Sequence, residues 1–133
     1  MSETASPSSD RLQGRCHCGA VGVSVPAASF GIVACHCDDC QKLHGNFFAM
    51  IAADRDEVRL DCAEALVSYA SSTTVQRTFC RHCGSRVAKD AQGAPKLLLA
   101  AGLFGPLTGK RLRRNVWGRS KPDWYELPAE VAP

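Results

Sequence analysis

The chain has 133 residues, of which 45% are hydrophobic and 22% are charged, and its formal net charge is +3. This length predicts a single domain with one modest core. The small net charge gives no reason by itself to expect a polyanionic partner. The longest apolar run, 97–107, is broken by two glycines and a proline and is shorter than the ~20 residues that cross a membrane.

The N-terminal residues are polar and rich in Ser, Thr, Ala and Pro, without the basic and apolar regions of a secretion signal. Residues 1–13 are therefore predicted to be disordered or loosely attached, and 14–133 to form the folded domain. The chain is predicted to be cytoplasmic. In that compartment thiols stay reduced, and clustered cysteines more often bind metal than form disulfides.

From residue 14 onward the pattern predicts short β-strands. Val21, Val23 and Val25 alternate with small residues, which predicts a strand with one buried face that ends at Pro26. No window keeps a helical period over three turns, so only a helical turn is predicted, at 38–44. A turn is predicted at 90–93. The other predicted strands are 14–18, 31–35, 46–53, 58–60, 65–69, 75–79, 96–101 and 115–117.

Seven of the eight cysteines follow a recurring pattern. Cys16 and Cys18 form a C-x-C pair, and Cys80 and Cys83 form a C-x-x-C pair. Between them, Cys35, Cys37 and Cys40 combine a C-x-C with a C-x-x-C. Cys62 has no partner in this pattern and is interpreted as an ordinary buried or free thiol.

The spacing of these pairs suits a zinc ion. Zinc binds thiolates at ~2.3 Å in a tetrahedron. An extended C-x-C places both side chains on one face, and a C-x-x-C turn makes both sulfurs converge. The residues between the cysteines then point away from the metal. His17, His36 and His82 are therefore poor candidates for ligands.

One division of the seven thiols uses them all. Cys16, Cys18, Cys80 and Cys83 would form a closed four-sulfur site of structural type. Cys35, Cys37 and Cys40 would leave one coordination position open to water or substrate. A rival division pairs the two C-x-x-C turns as a zinc ribbon and leaves three thiols unused. The three local thiols could also remain without metal.

The motifs, taken in order, resemble those of a known family. They are G-x-C-x-C-G at 14–19, C-H-C-x-x-C at 35–40 and S-S-x-x-V-x-R-x-F-C-x-x-C-G-S at 71–85. This order is similar to that of the glutathione-dependent formaldehyde-activating enzymes, a family that includes centromere protein V. The similarity extends from about 14 to 127 and includes Trp117 and the segment 121–124.

The resemblance implies a β-tent fold, in which zinc staples antiparallel sheets. It also implies structural zinc on the four cysteines of the closed site, and glutathione chemistry at Cys35, Cys37 and Cys40. The chain departs from the family pattern at two places. Members often have His where this chain has Asn115, and Arg where it has Gln41-Lys42. Both departures bear on the substrate more than on the fold.

The predicted activity is that of a carbon–sulfur lyase similar to S-(hydroxymethyl)glutathione synthase, with Cys35, Cys37 and Cys40 as the catalytic residues. A thiol bound to zinc is deprotonated near neutral pH, and the thiolate is the nucleophilic form. The sulfur of glutathione could then add to formaldehyde or another small aldehyde. Without metal, the same thiols could exchange with a glutathione disulfide.

An alternative function is a zinc-stabilised module that binds nucleic acid or protein through the basic segment 110–121. Such a run is more often a solvated surface, and nucleic acid is not the favoured partner. Trp117, Trp124 and Tyr125 are predicted to pack in the core or at its edge, or else to form an aromatic wall beside the open site. His44 is predicted to be exposed or hydrogen-bonded, with a proton shuttle as the alternative.

Overall fold

The computed structural model describes residues 10–28, 31–129 and 131. The predicted loose segment lies outside these residues, except for 10–13. The strands are β1 (Arg11–Arg15), β2 (Gly22–Pro26), β3 (Ile32–Cys35), β4 (Phe48–Asp54), β5 (Arg59–Asp61), β6 (Leu66–Ala70), β7 (Val75–Cys80), β8 (Arg86–Ala91), β9 (Lys96–Ala100) and β10 (Leu112–Val116). One α-helix, α1 (Asp38–His44), connects β3 to β4.

The strands form two sheets. One has three strands in the order β1-β2-β5, and the other has seven in the order β10-β3-β4-β9-β8-β7-β6. Every pairing is antiparallel except that between β10 and β3, which is parallel. The prediction of a mainly β fold with antiparallel sheets and little helix is confirmed, and the predicted helical turn coincides with α1. No helix in the described part of the chain is long and apolar enough to cross a membrane.

The first strand begins earlier than predicted. β1 starts at Arg11 and ends before the first cysteine, so the predicted strand 14–18 is displaced toward the N-terminus. Arg11 explains the extension, because its guanidinium donates hydrogen bonds to the hydroxyl and the carbonyl of Ser24 on β2, at 3.0 and 2.8 Å. These bonds and the β1–β2 ladder join residues 11–13 to the domain.

β2 is buried on both faces rather than on one. It lies between β1 and β5, and its residues from Gly22 to Val25 are all buried. The valines belong to a core cluster with Ile51 and Leu99. The guanidinium of Arg15 covers Gly22 so closely that a Cβ there would lie 3.2 Å from it. Arginines from β1 therefore cover residues that the valine alternation alone predicts to be exposed.

The sequence analysis missed strand β8. Its sequence, RVAKDA, contains Ala, Lys and Asp, which are poor strand formers. It pairs nevertheless with β7 and β9, and Val87 is fully buried in the core. Tertiary packing therefore overrides local propensity at this strand.

Candidate metal centres

The first cysteine group connects the two sheets. Cys16 and Cys18 lie in the turn between β1 and β2, Cys80 ends β7, and Cys83 lies in the turn before β8. The four Sγ atoms lie within 4.8 Å of one another. Cys18 Sγ is 3.7 Å from both Cys16 Sγ and Cys80 Sγ. This is close to the separation of sulfurs around a tetrahedral zinc ion, about 3.8 Å for ~2.3 Å bonds. The four sulfurs therefore could hold a metal ion.

Tight turns shape this group. Gly19 and Gly84 have φ values of 85° and 79°, which other residues rarely adopt. Backbone N–H groups point at two of the sulfurs: Val21 donates to Cys16 Sγ at 3.3 Å, and His82 donates to Cys80 Sγ at 3.4 Å. Such donors stabilise a thiolate more than a thiol. His17 and His82 are themselves exposed, and neither belongs to the group.

The thiols of this group do not ionise alike in the absence of metal. The hydroxyl of Ser85, 3.2 Å from Cys83 Sγ, is the main cause that lowers the pKa of Cys83 to about 5. A backbone hydrogen bond from Ala20 lowers the pKa of Cys18, but lost hydration and the three neighbouring thiols outweigh it and raise the value to about 11. Four thiolates this close repel one another. A bound cation would remove that penalty, so the donor set fits zinc.

The second group is local. Cys35 ends β3, Cys37 is the N-cap residue of α1, and Cys40 lies in the helix. Their three sulfurs also lie within 4.8 Å of one another. The backbone N–H of Cys40 donates to Cys37 Sγ at 3.4 Å. Cys35 and Cys40 are buried, whereas Cys37 is half-buried. Cys37 is therefore the thiol of this group through which a ligand can reach the cluster.

A buried arginine lies against the second group, and the sequence analysis missed its role. Arg77 on β7 is only 4% exposed. Its guanidinium donates to Cys40 Sγ at 3.6 Å and to the Ser71 hydroxyl at 3.2 Å. Among the described residues it forms no ion pair with a carboxylate. A buried charge needs a compensating partner, and the thiol cluster supplies one.

The two buried thiols are hydrogen-bonded to each other, and their pKa values shift in opposite directions in the absence of metal. A hydrogen bond with Cys40 is the largest cause that lowers the pKa of Cys35. The same bond, with burial, raises the pKa of Cys40, against the opposite effect of Arg77. Of the two buried thiols, Cys35 is therefore the one that ionises more readily. The sequence does show Arg77 as a charge between Val75 and Phe79 on one face of a strand, which indicates a buried arginine but not its partner.

Replacing Arg77 by Met should lower the free energy of unfolding by about 2 kcal/mol, because it leaves the buried Cys40 sulfur and the Ser71 hydroxyl without their hydrogen-bond donor. It should also lower the metal content of the second group while the first keeps its metal. Denaturant unfolding and metal analysis measure both. Arg114→Met, on the exposed part of β10, is the matched control and should change neither. An Arg77→Met protein that matches the wild type in both would contradict this role.

His36 anchors the loop between Cys35 and Cys37. Its ring is fully buried, and Nε2 donates to Asn115 Oδ1 at 2.8 Å. The ring also stacks on Tyr125, with centroids 5.9 Å apart. The side-chain amide of Gln41 donates to the carbonyls of His36 and Ser120. Asn115 and Gln41, the two departures from the family pattern, thus hold this loop against the C-terminal segment, and His36 is not in the metal group.

His44 and Cys62 lie outside both groups. The ring of His44 stacks on Phe48 at 4.2 Å, and its buried Nε2 has no hydrogen-bond partner among the described residues. His44 is therefore half-buried rather than freely exposed. Burial, with the positive charges of Arg77, Arg86 and Lys89, lowers the pKa of His44 to about 4, which makes it a poor proton acceptor at neutral pH. Cys62 is exposed, and Asp61 raises the pKa of its thiol.

A cleft opens at the half-buried thiol of the second group. It has a volume of about 270 Å³, and its lining residues are Cys37, Asp38, Asp39, Trp117 and Ser120. Trp117 is 68% exposed and Trp124 is 67% exposed, so the prediction that they pack in the core is wrong. The alternative of an aromatic wall fits Trp117. Tyr125 does pack at the edge, against Phe47 and His36.

The lysines and arginines of the basic segment 110–121 do not line this cleft, although Trp117 and Ser120 of the same segment do. Lys110 donates to the carbonyl of Ala27, while Arg111, Arg114 and Arg119 are exposed. A larger cleft of about 410 Å³ lies between the three-stranded sheet and residues 103–105, and no cysteine lines it.

Comparisons with known proteins agree with one another. The family model described as glutathione-dependent formaldehyde-activating enzyme matches residues 11–119. A Halomonas elongata protein that carries this enzyme name as a provisional assignment is 27% identical over 126 residues, which cover 87% of this chain and 80% of that protein. An uncharacterized lyase of Schizosaccharomyces pombe is 26% identical over 117 residues, with 86% and 84% covered. The crystal structure of a Rhodobacter sphaeroides protein superposes with a TM-score of 0.62 at 26% identity, over 72% of this chain and 90% of that one.

Proposed function

The chain belongs to the glutathione-dependent formaldehyde-activating enzyme family, and from that premise we propose that it forms and cleaves the carbon–sulfur bond between glutathione and a small aldehyde. Formaldehyde is the aldehyde that the family description names. The reaction would make it a carbon–sulfur lyase similar to S-(hydroxymethyl)glutathione synthase. The observation that carries the proposal is the position of Cys37, a half-buried thiol of a three-sulfur group at the mouth of a cleft.

In this proposal each cysteine group holds one zinc ion. Cys16, Cys18, Cys80 and Cys83 form the closed structural site within a single zinc-binding β domain. Cys35, Cys37 and Cys40 form the site that accepts substrate and are the catalytic residues. Zinc, where bound, supplies a positive charge that keeps a thiol ionised near neutral pH. All eight cysteines are free, which agrees with the reduced thiols of a cytoplasmic protein.

The residues around the second group would bind and orient the substrate. The cleft admits the glutathione thiol beside Cys37, and the buried Arg77 balances the negative charge of the cluster. The substrate thiolate attacks the aldehyde carbon, so that a carbon–sulfur bond forms while the carbonyl π bond breaks. The oxygen then takes a proton from water. The reverse sequence releases aldehyde and thiol, and no electrons are gained or lost overall.

The test is an exchange measurement, because glutathione adds to formaldehyde without a catalyst. Magnetisation-transfer NMR at equilibrium gives the rate at which free glutathione and its hydroxymethyl adduct interconvert. We expect the zinc-loaded protein to raise this rate in proportion to its concentration. Cys62→Ser, which alters an exposed thiol outside both groups, should raise it equally. A rate equal to that in buffer would overturn the proposed reaction.

A second candidate is a zinc-stabilised module that binds nucleic acid through the exposed Arg111, Arg114 and Arg119. Binding by these side chains would weaken steeply as salt is added, because phosphate contacts release counterions. An affinity for nucleic acid with that salt dependence, together with no response to glutathione, would favour this candidate over the lyase.

A further inference from the structure

The cleft at Cys37 has an unusual charge for a site that receives glutathione. Asp38 and Asp39 line it, and both are exposed. Neither forms an ion pair within the described part of the chain. No lysine, arginine or histidine is among the lining residues. The lining therefore presents two carboxylates and no basic side chain to a ligand.

Trp117 contributes an aromatic surface to the same cleft. It is 68% exposed although it is the largest type of apolar side chain. Its backbone is left-handed, with a φ of 57°, a conformation that costs a bulky residue of order 1–3 kcal/mol. The turn that holds it is closed by the N–H of Ser120, which donates to the Trp117 carbonyl at 3.0 Å, and Gln41 secures Ser120 to α1. The fold thus keeps an indole ring at the cleft, where it can attract a cation.

Glutathione has one cationic group, the α-ammonium of its γ-glutamyl residue, along with two carboxylates. We propose that the cleft is the subsite for the ammonium group of the thiol substrate, which lies among the carboxylates of Asp38 and Asp39 and the indole of Trp117 while the substrate sulfur lies at Cys37. The inference rests on the proposed function, and it narrows the substrate to thiols that carry a free amine. The carboxylates of such a thiol would lie outside the cleft.

Two ligands isolate the ammonium group. Glutathione and N-acetylglutathione have the same thiol and the same carboxylates, but only glutathione has the cationic amine. Calorimetric titration of the zinc-loaded protein gives an affinity for each. We expect the wild type to bind glutathione about tenfold more tightly, as an exposed ion pair and a cation–π contact together allow. In Asp38→Asn/Asp39→Asn and in Trp117→Leu the ratio should fall toward one.

The N-acetyl ligand also separates recognition from structural damage. Its affinity should not fall in the variants, because this ligand lacks the amine whose interaction the substitutions remove. Asp123→Asn, an exposed aspartate outside the cleft, is the control and should keep the wild-type ratio. Equal wild-type affinity for the two ligands would overturn the subsite and leave the lyase proposal intact. So would a parallel loss of both affinities in the variants. A wild type that binds neither ligand would overturn the lyase proposal and the subsite with it.

Discussion

Cys16→Ser should prevent the protein from folding cooperatively. Cys16 is buried in the main core cluster, and its sulfur lies 3.7 Å from that of Cys18. Zinc bound by four thiolates contributes roughly 10–16 kcal/mol of apparent binding free energy, which becomes folding free energy where the unfolded chain has no site. A domain is stable by only about 5–15 kcal/mol, so the loss of one ligand removes a large part of the total. Thermal denaturation followed by circular dichroism measures the effect.

The control for this prediction is Cys62→Ser, which removes a thiol that is exposed and outside both groups. It should leave the thermal transition and the zinc content unchanged, whereas Cys16→Ser should lose the zinc of the first group. Cys83→Ser tests the same site from the other sheet and should behave as Cys16→Ser does. A folded Cys16→Ser protein with wild-type zinc content would show that these four thiols are not a structural zinc site.

The two groups should differ in their effect on stability because they connect different lengths of chain. Cys18 and Cys80 are 62 residues apart in sequence and belong to turns of different sheets. A crosslink that closes so long a loop removes much conformational entropy from the unfolded state. The second group spans only 35–40, within one β-strand and the helix that follows it. A metal ion held there would therefore contribute less to the fold than one in the first group.

The grouping of the cysteines could be anticipated from the sequence because it depends on local geometry. A C-x-C or C-x-x-C pair brings its own sulfurs together whatever the rest of the fold does. The helix at the second group could be anticipated for the same reason, because Cys37 and Cys40 form a C-x-x-C turn and α1 begins within that turn. Which C-x-C pair meets which C-x-x-C pair depends on how distant strands pair with each other. From the spacing of the cysteines, only the requirement that all seven thiols be used favours one division.

The residues that surround the second group could not be found in this way. Arg77 approaches Cys40 from β7, 37 residues along the chain, and no local pattern encodes that contact. Trp117 is exposed although its side chain is apolar, because its backbone adopts the left-handed conformation of a turn. Strand β8 depends on its neighbours β7 and β9 rather than on its own composition. For Arg77 and for β8, a long-range contact decides the outcome.

Cys37→Ser should abolish the response to glutathione while the protein stays folded. Serine is a preferred N-cap residue, so its hydroxyl can accept the Cys40 N–H bond that Cys37 Sγ accepts now, and α1 should persist. The closed site is unaffected, because its four cysteines lie elsewhere. The substitution removes Cys37 Sγ, which is the third sulfur of the site and the one sulfur of that group that is not buried. The glutathione-dependent shift in melting temperature and the accelerated adduct exchange should both disappear.

Oxidised glutathione provides an independent readout of the same thiol. Mass spectrometry of the folded wild type with metal in the first group only should show a mixed disulfide after exposure, since Cys37 is the least buried sulfur of its group. The Cys37→Ser protein should lack that adduct at 35–40, and Cys62→Ser should retain it. Because Cys35 and Cys40 are buried, they cannot substitute for Cys37 without an opening of the loop that His36 and Gln41 secure. A Cys37→Ser protein that still binds glutathione would therefore place the substrate site elsewhere on the molecule.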